Sequence, residues 1–314
     1  METAISELAK YAILCFFVLF TMTGFAAISK NKGKMFYAQR FFMLAVHALA
    51  YIIFFVHTKE MKYLIFYVAQ LIFFIVLLLL YDVLYPKMSK LIINNMCMFL
   101  ITGFIMISRI AFSKAVKQFA IVIVSCVISM FIPYFIKKLR FLSKLVWVYA
   151  VVGIIFLALM KLAGSITYGA SITFSVGGVT IQPVEFVKII FVFFLASFLS
   201  RRHDLKAVIV VSAVAAVHIL LLVWAKELGG ALIFCMVYLC LVYVATRQPL
   251  YFAGAAVGGG AAAFIAYQLF NHVRVRVQTW STPFSVIKND TSQISQALFA
   301  IGTGGWFGLG IDQG

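Results

Sequence analysis

Acidic residues are scarce in this chain of 314 residues: nine Asp and Glu stand against 26 Lys and Arg, and charged residues of both signs make up only 11%. With 65% hydrophobic residues and a mean hydropathy of +1.09, so little charge excludes a water-soluble fold. Cysteines are few. Cys15, Cys97, Cys126, Cys235 and Cys240 all fall inside apolar runs, at spacings that fit neither a metal site nor a disulfide framework, and read as small core hydrophobes. His47, His57, His203, His218 and His272 show no HxxxH or HExxH spacing, which argues against a metal site built from them. The glycine-rich GTGGWFGLG lacks the Lys-Ser/Thr of a phosphate-binding loop, which argues against nucleotide binding.

What is abundant is long apolar runs. A hydrocarbon core roughly 30 Å thick needs about 20 apolar residues per helix. Cutting the sequence at its charge clusters predicts ten spans, at 8–29, 41–57, 63–85, 91–112, 119–136, 145–164, 185–200, 207–225, 229–246 and 249–270. The net charge of +17 would suit a nucleic-acid partner on a soluble protein, but the cations lie in short clusters between these runs, as membrane-flanking charge does. No nucleic-acid partner is expected. Glu2 and Glu7 stand where a cleaved signal peptide carries basic residues, so the first span reads as a retained helix.

The basic residues favour an N-terminus outside. Inner loops then hold Lys30, Lys32, Lys34 and Arg40, Lys87 and Lys90, Lys137, Lys138, Arg140 and Lys144, Arg201, Arg202 and Lys206, and Arg247. Lys114 and Lys117, after the fourth span, run against that pattern. Two outer segments interrupt the hydropathy: a Gly/Ser/Thr-rich loop at 165–184, and everything after Asn271. In the second, Ile294, Ala297, Leu298 and Ile301 recur at helical spacing and predict a short amphipathic helix on a surface. Gly254, Gly258, Gly259 and Gly260 in the last span read as close helix packing.

With so few acids, each can be weighed. Glu2, Glu7 and Glu60 read as solvated span ends, Asp204 belongs to a basic inner turn, and Asp82 lies near an inner helix end beside Lys87. Glu185, Glu227 and Asp290 all fall on the outer side, where an ionisable group at a membrane-helix end needs a partner or a watery cavity. Glu185 has Lys188 three residues on, so the two either form a structural ion pair or line a polar cavity, which Glu227 would share. Arg274 and Arg276 alternate with valines; on an extended chain they share one face and fit an anionic headgroup or pyrophosphate, or anchor the interface. Asp290 with Gln293 has the pattern of a helix N-cap and its reciprocal partner, a position that does not exclude chemistry.

Four segments together resemble the SEDS family (shape, elongation, division and sporulation), whose RodA and FtsW members are peptidoglycan glycan polymerases. GGVTIQPVEF is similar to the family's IQPSEF segment and KELGGALI to its PDLGTAL. RVRV with TW and STPF resembles QRxRV…DPF, and QISQALFAIGTGGWFGLGI resembles YQxxQSLIAIGSGGLFGKGL. The resemblance covers 91–314 and makes residues 1–90 an N-terminal extension of three spans. It implies an all-α polytopic protein of the bacterial plasma membrane that polymerises glycan strands from lipid II at the outer face. It further implies a penicillin-binding transpeptidase as partner and substrate contacts at Glu185, Lys188, Glu227, Arg274, Arg276, Gln293 and Gln296. No cofactor is fixed, with a divalent metal left open. The family continues into a further outer segment and three more helices, so this sequence is expected to be a fragment or truncated product.

Two departures bear on mechanism. Ser171, Ile172 and Thr173 stand where the family has Lys-Arg-Trp, and Val286 occupies the position of its essential acid, leaving Asp290 as the nearby carboxylate and displaced catalytic candidate. Two alternatives therefore stay open: a non-catalytic scaffold for a transpeptidase, and a transporter of lipid-linked precursors.

Overall fold

The computed structural model describes residues 2–29, 33–138, 140–163, 165–167, 170–176, 179–202, 204–284 and 292–311. Where an apolar chain can pair its amides only with itself, helices result, and ten of them coincide with the ten expected spans. They are α1 (Glu2–Ser29), α2 (Lys34–Thr58), α3 (Met61–Leu84), α4 (Lys90–Ile110), α5 (Phe112–Lys138), α6 (Val146–Ala163), α7 (Pro183–Leu199), α8 (Leu205–Trp224), α9 (Leu228–Thr246) and α10 (Pro249–Leu269). Eight are long and apolar enough to cross a membrane. The others, α6 and α7, have 18 and 17 residues, at the short end of the spanning range of about 17–25. Two further helices follow, α11 (Asn271–Ser281) and α12 (Ser292–Gly304).

Within the segment expected to be a loop at 165–184, β1 (Ser165–Thr167), β2 (Ala170–Val176) and β3 (Val179–Ile181) form a three-stranded antiparallel sheet in the order β1-β2-β3. Phe174 pairs with Ile181 and Val176 with Val179. The β-branched and aromatic residues of ASITFSV and VTI suit strands. The protein is otherwise helical, as expected.

The chain divides into two compact units, residues 1–135 with 297–314, and residues 136–296. The core of the first is built from α1 to α5 around Met43, Tyr51, Phe74, Ile101 and Phe104. Polar side chains gather here in two layers. In one, Arg40 donates from both terminal nitrogens to the Asp82 carboxylate at 2.6 and 2.9 Å, and from Nε to Asn94 Oδ1 at 3.1 Å. Asn94 in turn donates to Gln39 Oε1 and Phe36 O. In the other, fully buried, His47 Nε2 meets Gln70 Oε1 at 2.9 Å, Gln70 donates to Tyr51 Oη at 3.0 Å, and Tyr51 meets Ser108 Oγ at 2.9 Å. Gly24 belongs to the first layer by what it lacks, since a Cβ there would lie 2.8 Å from Gln39 Nε2.

The core of the second unit joins α6 to α9 around Phe191, Phe194, Phe234, Leu157 and Leu222. His218 is buried within it, donating from Nδ1 to Val214 O at 2.9 Å. Its Nε2 points at Gly153, where a Cβ would lie only 2.6 Å away, so α6 and α8 approach here because position 153 has no side chain.

Two sequence expectations change. Asp82 pairs with Arg40, not with Lys87, because α2 and α3 lie side by side and bring together residues 42 apart in the chain. Three of the four glycines of α10 do not mediate close packing: no neighbouring atom comes within 4 Å of a Cβ built at Gly254, Gly258 or Gly260, whereas one at Gly259 would meet Cys235 Sγ at 3.6 Å, and α10 buries no residue. Asp82→Ala would strand the Arg40 guanidinium, 11% exposed, inside the helix cluster. It is expected to destabilise the protein by about 1–3 kcal/mol, below the figure for a fully buried pair because Asp82 is 26% exposed. Thermal unfolding in detergent should show a clear loss for Asp82→Ala and none for Lys87→Ala, and equal effects would rule out the pairing.

Candidate functional site

The sequence-selected residues of the second unit collect at one end of its helices, where α6 and α8 finish and α7 and α9 begin. Pro183 opens α7 in its first turn, where its missing N–H costs nothing. One turn on, Lys188 Nζ contacts Glu185 Oε1 at 2.7 Å, with Glu185 exposed and Lys188 half-buried. The α8–α9 connection is tight. Lys226 takes a left-handed conformation (φ 65°), its N–H reaching Val223 O and the N–H of Glu227 reaching Leu222 O, which satisfies the last carbonyls of α8. A lysine holds a position that glycine would occupy without strain.

Glu227 is half-buried at the start of α9. Its side chain folds over Gly230, where a Cβ would lie 3.0 Å from Glu227 Cγ and 3.6 Å from Val184 Cγ2, so the Glu227 stem lies close to the first turn of α7. No described residue forms an ion pair with Glu227.

The segment with alternating arginines is helical, as α11. On a helix, residues two apart point about 200° apart, so Arg274 and Arg276 do not share a face. Arg274 instead donates from Nε to Tyr267 O at 3.2 Å and from a terminal nitrogen to Gln268 O, covering carbonyls that the end of α10 leaves unpaired. Arg276 is exposed. On the same helix His272 Nε2 donates to Val223 O at 3.0 Å, tying α11 to the end of α8. Burial lowers the pKa of His272; the carbonyl raises it in part, and Lys226, Lys161 and Arg276 lower it further. All three lie near enough to disfavour the charged imidazole. Lys161, in the last turn of α6, also places its ammonium 5.6 Å from the centre of the Trp224 ring.

Beside this end runs an apolar groove of about 870 Å³ between α8, α9 and α10, lined by Ala215, Leu232, Tyr238, Gly258 and others. Val223, Leu228 and Val273 form part of its wall, each adjoining a residue of the cationic cluster or Glu227. The groove reaches neither Glu185 nor Glu227, so no cavity common to those two carboxylates is formed there.

Gln293 and Gln296 fall in the first two turns of α12, with Gln296 exposed. The expected amphipathic helix is present, and its apolar residues Leu298 and Ile301 are exposed. Asp290 and Val286 lie outside the described residues, and so does the cap expected between Asp290 and Gln293. Among the described residues no cluster of three or more His, Cys, Asp or Glu is placed to hold a metal. Sequence reasoning missed Lys161 and His272. Their only sequence signal was a cation and an imidazole at the edges of apolar runs.

A family model described as cell cycle protein, named for FtsW, RodA and SpoVE, matches residues 87–314. Among curated proteins, the peptidoglycan glycosyltransferase RodA of Mycobacterium tuberculosis (strain ATCC 25618 / H37Rv) is 32% identical over 202 residues, 57% of this chain and 42% of the relative. RodA of Mycobacterium leprae is 30% identical over 195 residues, covering the same shares. The probable peptidoglycan glycosyltransferase FtsW of Shewanella sediminis is 30% identical over 207 residues, 63% of this chain and 49% of the relative. The chain thus spans less than half the length of these relatives. No solved structure matches.

The cations around His272 give a pH dependence with a defined sign. Above about pH 6.5 the imidazole is neutral in folded and unfolded chains alike. As pH falls through that value the unfolded state takes up a proton that the folded state resists, so stability is lost toward acid. The stability of the protein relative to His272→Gln should therefore shrink between about pH 8 and pH 5 in detergent melts. A difference constant across that range would show that His272 does not feel burial and the surrounding cations.

Proposed function

The chain belongs to the FtsW/RodA/SpoVE family of cell cycle proteins and, with eight helices able to cross a bilayer, is a multi-pass protein of the bacterial plasma membrane; from that premise we propose that it polymerises glycan strands from lipid II at the outer face. The observation that carries the reading is the apolar groove of α8, α9 and α10, whose wall at Val223 and Val273 adjoins His272, with Lys161, Lys226 and Arg276 close enough to disfavour protonation of that imidazole. A lipid-linked sugar pyrophosphate has these two parts, an anionic headgroup and a long apolar chain.

In the proposed reaction an acceptor sugar hydroxyl attacks the anomeric carbon of the donor. The bond from that carbon to the pyrophosphate oxygen breaks, and the hydroxyl proton passes to a base. Cations that meet the departing pyrophosphate stabilise charge as it develops, a role for Lys161, Lys226 and Arg276. Arg274 is occupied as a helix cap and holds α11 in place. The ion-paired Glu185 and Lys188 stand at the start of α7. The base is Asp290 or Glu227, the second being a carboxylate with no ion-pair partner among the described residues.

A scaffold for a penicillin-binding transpeptidase is the second reading, favoured by Val286 at the position where the family resemblance places an acid. Glycan-strand formation from lipid II by purified full-length protein, with the transpeptidase present, separates the two. Loss of a base should lower the rate by about 10²–10⁴-fold. Such a loss in both Asp290→Asn and Asp290→Ala, with the fold retained, assigns the base to Asp290. The same loss in Glu227→Gln with Asp290 variants active assigns it to Glu227. An inactive parent protein favours the scaffold.

The outward placement has its own test. Cysteines at Ser175 and Ser292 are expected to react with an impermeant maleimide in intact cells. Labelling only after the membrane is opened would reverse the orientation and remove lipid II polymerisation at the outer face.

A further inference from the structure

Residues 1–86 precede the family match, and the polymerisation reading gives them no task. Within the first unit, however, α1 meets the last described residues of the chain. The rings of Tyr11 and Phe307 stand edge to face, with centroids 6.2 Å apart and planes at 62°. Lys10 is held by Glu7 at 2.9 Å and lies over the Tyr11 ring at 4.8 Å, its side chain only 14% exposed. Its Cδ would lie 3.9 Å from a Cβ at Gly310. Ile311 packs on the core that includes Ile13.

The chain reaches this position through its glycines. Gly305, Gly308 and Gly310 have φ of 57°, 73° and 116°, a region that side chains disfavour. By this path Phe307, itself 62% exposed, and Ile311 turn toward α1, while Trp306 between two turns is 98% exposed. The platform is itself fixed. α1 packs chiefly on α2, Gly24 gives room to Gln39, and Gln39 belongs to the Arg40–Asp82–Asn94 layer that reaches α3 and α4.

We propose that the first helix of the extension is a seat for residues 307–311, and that Lys10 and Tyr11 are positioning residues for the family segment QISQALFAIGTGGWFGLGI, which ends there. The extension thereby sets where that segment lies. Its effect on polymerisation rests on the reading above; the seat does not.

The seat is tested in membranes containing the full-length protein. A short bismaleimide should join Tyr11→Cys to Phe307→Cys, with the linked peptides identified by mass spectrometry. Val18→Cys lies on the same side of α1, two turns or about 10 Å deeper, and should join Phe307→Cys far less. Equal linking at both positions, or none at Tyr11→Cys, overturns the seat. Tyr11→Ala should speed chymotryptic cleavage after Phe307 several-fold without lowering the melting temperature, and Tyr11→Phe, which keeps the ring, should restore protection. Unchanged cleavage in Tyr11→Ala overturns the positioning role. In the glycan assay Tyr11→Ala should be several-fold slower than Tyr11→Phe. An inactive parent protein would count against polymerisation alone, since linking and cleavage still decide the seat.

Discussion

A bilayer interior offers no hydrogen-bond partner, so a chain that crosses it must pair its amides within helices and bring its remaining polar groups together or to an end. Both outcomes occur here, one in each unit. In the first, polar side chains from α2, α3 and α4 meet one another in two layers, one of them fully buried. Removing one member leaves a partner stranded, so such layers fix which helices are neighbours. Among the described residues of the second unit the buried polar side chains are Ser197, His218, Thr279 and Ser295, none of them acidic, and the charged groups Glu227, Lys226 and Lys161 lie at one end.

Hydropathy made the helices legible because the constraint acts on each span separately, and every expected span is occupied by a helix. Partners were less legible, because pairing depends on which helices lie side by side. Asp82 looked toward Lys87, five residues away, yet its partner Arg40 is 42 residues away and one helix over. Arg274 misled for a different reason. Alternation with valine has period two and suits a strand, but the last carbonyls of α10 needed a donor, and a helix through 271–281 delivers the guanidinium to them. The alternation in ASITFSV does mark a strand, where no helix end competes for its residues. The period alone could not separate these cases.

Glycine carried a similar ambiguity. Gly153 and Gly24 are isolated in their helices and drew no notice, yet each faces a side-chain nitrogen that would collide with a Cβ. The run at 258–260 resembled a packing motif and instead borders the groove, with open space at two of its three positions. A small residue permits close approach without requiring it, and only the neighbouring helix decides which holds.

The same distinction between permitting and requiring applies to the chemistry. Lys161, Lys226 and Arg276 around His272 provide cations suited to an anionic leaving group, and a lipid-binding scaffold would retain them as readily as an enzyme. Donors that stabilise developing charge are worth roughly 3–4 kcal/mol each when removed singly, but they act on a bond that breaks only if the acceptor oxygen can lose its proton. The base therefore separates enzyme from scaffold. Glu227 stands half-buried at the start of α9. Asp290 precedes α12 in sequence and lies outside the described residues. A carboxylate is a weak base for a sugar hydroxyl, whose proton becomes acidic only as its oxygen bonds to the anomeric carbon. Proton transfer is then late, and the cations must already be in place. On the proposed reading, lipid binding and turnover are separable, the first depending on the cationic end and groove and the second on one carboxylate.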